Sequence, residues 1–281
     1  MRVGLIGAGL LGTAIVERLV IAGFEVSAFD TDPARLEVVS RVGARPLGSA
    51  VEAAAGPFVV LCLPDASVSA AVADEIAASV GDAAVIDTTT GDPTEIAEIG
   101  RRLPRYVDAT IAGSSEQVRG RDAVVMAGGD PADIAAAAGL FEAIAARVFH
   151  VGPRGAGARM KLVVNLVLGL NRAVLAEGLA FAEATGVDPV AALEVLRAGP
   201  AYSAAMDRKG KKMLERDWTP EARLRQHHKD VRLILAEAAR GGIELTLSGV
   251  HERLLAEAAA AGFGDADNSA ILEVMRGRGG G

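Results

Sequence analysis

Two groups of residues in this 281-residue chain have the types and the spacing to do chemistry. The first lies in "GLIGAGLLGTAI", Gly4 to Ile15, where Gly7, Gly9 and Gly12 form a G-x-G-x-x-G pattern. Such a turn holds a dinucleotide pyrophosphate when it follows a strand and opens a helix. The first glycine permits the tight turn, the second lets the backbone approach the phosphates, and the third lets helix and strand pack closely. The helix start adds free N–H groups and a positive dipole end. Ala8, Leu10 and Leu11 fill out the candidate cradle. Outside such a setting the same glycines make only a structural turn. Here the setting is present: "RVGLI" reads as a strand, Leu10 to Ala22 as a helix stopped by Gly23, and "FEVSAF" as a second strand reaching Asp30. The offset from Gly7 to Asp30 is close to the usual spacing of about 20 residues. A carboxylate there accepts hydrogen bonds from the ribose hydroxyls and repels a 2′-phosphate, which favours NAD over NADP. Thr31 and Asp32 follow it where an arginine would favour NADP. Arg35 is within a side-chain swing of that phosphate position but reads as part of a solvated helix face.

The second group is Lys161 and Asn165, four residues apart in "GAGARMKLVVNLVLGL". On a helix they share a face, one turn from each other. The surrounding apolar residues make a lysine there costly to bury without a role, and a desolvated lysine can act as a general acid or base. The same residue also suits a helix end whose ammonium snorkels to water.

These residues need elements to carry them. Up to about Val151, β runs ("PFVVLCLP", "AAVIDT", "YVDA", "AVVMAG", "RVFHVG") alternate with helical stretches, which implies a mostly parallel sheet covered on both faces. "DPTE", Asp92 to Glu95, has the form of a capping box with Pro93 at the first helical position. Leu63, Pro64, Asp65 and Thr90 fall in loops at the carboxyl ends of strands, where open α/β sheets bind ligands, and Val68 follows on the nicotinamide side. Beyond "GPRGAG" strand signals almost vanish. Arg159 to Thr185 reads as one helix roughly 40 Å long, ended by Gly186, and Asp188–Pro189 caps another. The expected architecture is α/β: a Rossmann-type, mostly parallel sheet domain over residues 1–153, then an all-α domain over 154–281 for substrate and oligomerisation, with a disordered "RGRGG" tail.

Composition narrows the partners. The chain is 51% hydrophobic and 4% aromatic with a net charge of −7, which argues against nucleic acid. Its one cysteine, Cys62, fits a strand core and a reducing compartment. The apolar stretch from Leu162 to Leu170 is interrupted by Asn165 and Gly169, so no membrane span is expected. His227 and His228 are adjacent and point apart on a helix, and His150 and His251 lack ligand-spaced partners, so no metal is expected. The expectation is a cytoplasmic protein.

Three later segments resemble the β-hydroxyacid dehydrogenase family, which includes 3-hydroxyisobutyrate dehydrogenases and tartronate semialdehyde reductases: "VDATIAGSSEQVRGRDAVVMAGG", "GAGARMKLVVN" and "HHKDVRLIL". With the glycine motif they span nearly the whole chain. The resemblance implies an NAD-dependent dehydrogenase of a small anionic β-hydroxy acid, or a reductase of the matching semialdehyde. The long helix has too few residues after it to cover its apolar surface, so a homodimer or homotetramer is expected. The resemblance assigns proton transfer to Lys161, substrate orientation to Asn165, a cofactor contact to Lys229 and a helix-securing role to Asp230. The substrate loop becomes Ala112, Gly113, Ser114 and Ser115. Ala112 stands where the family usually has a serine, so Ser114 and Ser115, or the N–H groups of Gly113 and Ser114, would have to hold the substrate. Arg119 and Arg121 face either an anionic substrate group or solvent. Two other readings share the fold. One is an imine reductase, a kind that generally replaces the catalytic lysine; the other is a non-catalytic NAD-binding scaffold.

Overall fold

The computed structural model of the chain describes residues 1–277. Two compact units divide it, Met1–Lys161 and Leu162–Gly281. The division falls inside one helix, Ala156–Ala184, rather than at residue 153, because the first turns of that helix pack with the sheet.

The first unit is built on an eight-stranded sheet: β1 (Arg2–Ile6), β2 (Glu25–Phe29), β3 (Arg45–Pro46), β4 (Phe58–Leu61), β5 (Ala84–Asp87), β6 (Arg105–Ala112), β7 (Val124–Gly128) and β8 (Arg147–Gly152). Its order is β3-β2-β1-β4-β5-β6-β7-β8, parallel throughout except for the β6–β7 pair. Alternation along the strands feeds both faces. In β1, Val3 and Leu5 join one apolar cluster with Ile15, Leu19 and Phe141, while Ile6 joins the other with Leu61, Ile76 and Tyr106. Chain order reverses between β1 and β4, so the crevice at the carboxyl ends of those strands is the topological switch point.

Several local expectations need correction. The first helix is Leu10–Ile21. Asp92 does cap Pro93–Arg102, accepting from the Thr94 N–H at 2.8 Å, but Glu95 stays exposed and the capping box does not close. The two-residue β3 is too short to show a period in the sequence. Arg276 and Gly277 of the "RGRGG" tail end a helix, Ile271–Gly277, in which Arg276 pairs with Glu183 and Glu273. Residues 278–281 lie outside the described residues.

The second unit is helical among its described residues. Five helices carry most of it: the remainder of Ala156–Ala184, then Pro189–Ala198, Ala204–Glu215, Leu224–Arg240 and Thr246–Ala260. Asp188 accepts from the Val190 N–H at 3.1 Å with Pro189 in the first turn, as its sequence predicts. The core joins Leu175, Leu179, Leu193, Met213, Leu224, Leu255 and Ile271. By length and composition alone the 29-residue helix is apolar enough to cross a membrane. It nevertheless carries buried Arg172 and packs Leu175, Ala176 and Leu179 into this core.

Candidate functional site

In the first unit the glycine turn has the geometry its spacing predicts. Gly7 adopts φ +99°, and a Cβ there would lie 2.3 Å from the Cys62 carbonyl oxygen. A Cβ on Gly12 would lie 2.0 Å from the Gly7 carbonyl oxygen. Both glycines are therefore fixed by backbone packing. Gly9 differs: the nearest atom to a Cβ would be Arg35 Nη1 at 4.0 Å, which leaves its face open to a ligand. Gly9 is also the N-cap of Leu10–Ile21, and no side chain caps that helix. An open backbone at an uncapped helix start fits a dinucleotide pyrophosphate. Leu10 is exposed, Leu11 half-buried and Ala8 buried beneath the turn.

Asp30 ends the second strand with a buried carboxylate. Its Oδ2 accepts the Ala8 N–H at 2.7 Å and its Oδ1 the Asp32 N–H at 2.9 Å, so the acid also ties the glycine turn to β2. Arg35 is not simply solvated: Nη1 reaches Asp30 Oδ2 at 3.4 Å and Nε reaches Asp32 at 3.5 Å. Thr31 is exposed between them.

The loops after β4 and β5 are tied to each other. Thr89 Oγ1 accepts the Leu63 N–H at 3.2 Å, and Asp87 accepts the Thr89 N–H at 2.9 Å. Pro64 is exposed, and Thr90 is half-buried beside Thr89. Asp65 caps Ala66–Ile76 by accepting from Val68 N–H at 3.1 Å, which presents partly exposed Val68 on the first turn. Cys62 packs against the core, and burial pushes its thiol up to about 11, so it is no nucleophile at neutral pH.

After β6 the chain passes through Ala112, Gly113, Ser114 and Ser115. Ser114 Oγ accepts the Gln117 N–H at 3.3 Å, and Gln117 Oε1 accepts the Ser114 N–H at 2.9 Å. This capping box starts a short helix, Ser115–Arg119, and corrects the reading that left the Ser114 N–H for an oxyanion. Arg119 is committed as well, with Nε 2.6 Å from Glu17 Oε2 and Nη1 2.6 Å from Glu116. Arg121 stays exposed.

Lys161 comes to this same edge of the sheet: its Nζ donates to the carbonyl oxygen of Ile111 at 2.6 Å, one residue before Ala112. A residue the sequence did not single out prepares that placement. Asp108, buried in β6, accepts the Gly155 N–H through Oδ1 and the Ala158 N–H through Oδ2, both at 2.8 Å, and so caps the start of the helix that carries Lys161. Thr110 Oγ1 adds a bond to the Gly157 carbonyl at 2.8 Å. Burial, with a smaller push from the Asp87 charge, raises the Asp108 carboxyl to about 6 against the opposing pull of its N–H bonds. Tyr106 donates to Asp87 at 2.9 Å beside it.

In the second unit, Asn165 lies one turn farther along the same helix. Its Nδ2 donates to Asp230 Oδ2 at 3.1 Å, so the acid fixes the amide's orientation. Lys229 is half-buried next to Asp230. His227 and His251 have their ring centres 5.1 Å apart, a contact that their distance in the sequence hides. Among the described residues no group of three or more His, Cys, Asp or Glu side chains could hold a metal ion.

The comparisons agree with this geometry. The family profile described as "NAD binding domain of 6-phosphogluconate dehydrogenase" matches residues 2–152. The profile described as "NAD-binding of NADP-dependent 3-hydroxyisobutyrate dehydrogenase" matches 155–275. Glyoxylate/succinic semialdehyde reductase 1 of Arabidopsis thaliana is 26% identical, over 98% of this chain and 99% of its own. The 2-hydroxy-3-oxopropionate reductase of Escherichia coli is 27% identical, over 98% and 97%. In fold, the chain is similar to the Mycobacterium tuberculosis 3-hydroxyisobutyrate dehydrogenase solved with L-serine. The TM-score is 0.90 at 24% identity, covering 98% of this chain and 99% of that one.

Proposed function

This chain belongs to the β-hydroxyacid dehydrogenase family, and from that premise we propose that it is an NAD-preferring oxidoreductase of a small anionic β-hydroxy acid or its semialdehyde, with Lys161 as the acid/base. The observation that carries the reading is the ammonium of Lys161 bonded to Ile111 at the carboxyl end of β6, the edge that also bears the glycine turn. When bound, the nicotinamide cofactor supplies or accepts the hydride. The chain's own work is to bind, orient and move a proton. Gly9 and the helix start after it receive the pyrophosphate, Asp30 the ribose hydroxyls, and Leu63, Pro64, Asp65, Val68 and Thr90 line the nicotinamide half. The family resemblance gives Lys229 a cofactor contact as well. Ala112, Gly113 and Ser115 face the substrate, while Ser114 shapes the loop through its capping box with Gln117. Asn165, held by Asp230, orients the substrate oxygen. Lys161 Nζ gives a proton to a carbonyl oxygen in reduction or takes one from the hydroxyl in oxidation. The named activities of the relatives, on glyoxylate, succinic semialdehyde and 2-hydroxy-3-oxopropionate, support a small acid with an aldehyde or alcohol carbon.

The test is a panel of small β-hydroxy acids and semialdehydes with NAD and NADP, read by absorbance of the reduced cofactor, with cyclic imines in a parallel panel. Turnover of a hydroxy acid that depends on Lys161 supports the reading. Turnover of imines alone would move the chain to imine reduction, and cofactor binding with neither activity would make it a scaffold.

A further inference from the structure

The second unit holds a group of buried polar side chains that the proposed reaction does not use. Three helices bring them together: Arg172 from Ala156–Ala184, His227 from Leu224–Arg240 and His251 from Thr246–Ala260. Their exposures are 5%, 8% and 3%. Both imidazoles lie over Gly169, where a Cβ would come 2.6 Å from His227 Nε2 and 2.9 Å from His251 Cε1. The absence of a side chain at Gly169 is what admits the rings. Arg172 follows Gly169 by three positions, so its side chain leaves the same side of the helix one turn on. Arg172 Nη2 and the Nε2 atoms of both histidines are buried without a hydrogen-bond partner among the described residues.

The acids nearby serve other groups. Asp267 attracts Arg172 through space, but its oxygens are occupied. Oδ1 accepts from Ser269 N–H and Oγ–H, and Oδ2 accepts from Lys209 Nζ and the N–H groups of Glu221 and Ala222. Glu252 is bonded to His228 at 2.8 Å, and Asp230 accepts from Asn165 through Oδ2, while its Oδ1 is buried with no hydrogen bond among the described residues. Arg172 is thus a buried cation whose Nη2 bonds to none of these carboxylates, an arrangement that is unfavourable without a counter-charge in contact. The histidines do not repel it, because burial and the guanidinium hold both neutral, His251 down at about 4 and His227 well below its usual range. A neutral imidazole can still donate from Nε2.

We propose that Arg172, His227 and His251 form a binding site for a small monoanion, a halide or a simple carboxylate. One negative charge balances the one fixed positive charge, the guanidinium offers several donors, and each imidazole offers one more. The site also has a structural consequence. Gly169 is one turn after Asn165 and His227 is one turn before Asp230, so a bound anion braces the helix pair that orients the Asn165 amide.

The test is thermal unfolding of the full chain at constant ionic strength, exchanging sodium gluconate for chloride in one arm and formate in another. Above the dissociation constant the unfolding midpoint should climb by about 2–4 °C for each tenfold rise in the bound anion. Arg172→Met should abolish the climb, whereas Lys161→Ala, altered in the other unit, should keep it. Chloride alone raising the midpoint assigns a halide, formate alone a carboxylate. Crystals of the unaltered protein soaked in bromide give a readout that needs no variant, an anomalous peak beside the Arg172 guanidinium. A midpoint indifferent to both anions, or a climb that persists in Arg172→Met, together with no bromide at Arg172, overturns the proposal and leaves the guanidinium to water.

Discussion

At the residue scale, the proposed reaction depends on one proton. Lys161→Ala should lower turnover by on the order of 10²–10⁴, the usual worth of a positioned proton-transfer group. NAD affinity should stay near normal, because the glycine turn and Asp30 are untouched. Lys161→Arg should fail as well, since a guanidinium does not release its proton near neutral pH. Steady-state rates with cofactor binding followed by fluorescence check both variants, and a Lys161→Ala rate within a few-fold of the parent removes the lysine from the mechanism. Asp30 carries a second prediction. Its carboxylate both receives the Ala8 N–H and meets Arg35, so removing the charge frees a cation beside the ribose site. Asp30→Asn keeps the shape, and it should narrow or reverse the preference for NAD over NADP in kcat/KM. A parent enzyme more efficient with NADP contradicts the assignment of Asp30.

At the scale of elements, what the sequence discloses depends on how local the contact is. The glycine turn was legible because its three constraints sit at fixed offsets on one chain segment, and the structure places a positive φ and two backbone contacts at those offsets. The helix that carries both Lys161 and Asn165 was legible from its apolar pattern, and the structure has both on Ala156–Ala184. The Ser114 box was missed because a five-residue helix is too short to show a period, and two serines beside a glycine look like an ordinary turn. Asp108 and the His227–His251 contact were missed for a different reason. Each joins segments far apart in sequence, and no periodicity marks an acid in β6 as the cap of a helix beginning near Gly155. That cap makes a pH prediction. The folded-state value of Asp108, about 6, lies above the unfolded 3.8, so the folded chain binds the proton more tightly. The resulting stabilisation is complete below about 4 and is lost as pH rises through about 6. Relative to Asp108→Asn, the parent should therefore gain on the order of 2 kcal/mol between pH 7.5 and pH 4.5. Urea unfolding of both proteins at the two pH values measures it, and parallel curves remove Asp108 as the source.

At the scale of the whole molecule, the long helix has more apolar surface than its own unit covers. Val163, Val167, Val174 and Phe181 are 55%, 52%, 65% and 69% exposed. Their spacings of four, seven and seven residues set them in one stripe along the helix. Burying a stripe of that kind is favourable in proportion to the apolar area removed from water, and contiguous apolar patches on a chain of this size mark contact surfaces. The stripe is self-complementary if a second copy lies against it about a two-fold axis, since each valine and the phenylalanine then meet the same set on the partner. We expect a homodimer or homotetramer held by this helix. Light scattering at micromolar concentration should give a multiple of the 28.7 kDa chain mass. Val174→Glu with Phe181→Glu should shift the mass toward one chain by placing like charges opposite each other in an apolar contact. Neither substitution touches the glycine turn, so NAD binding measured on the same samples should persist and separates dissociation from unfolding. A mass of about one chain for the parent protein overturns the assignment, and an unchanged mass for the double variant moves the interface elsewhere.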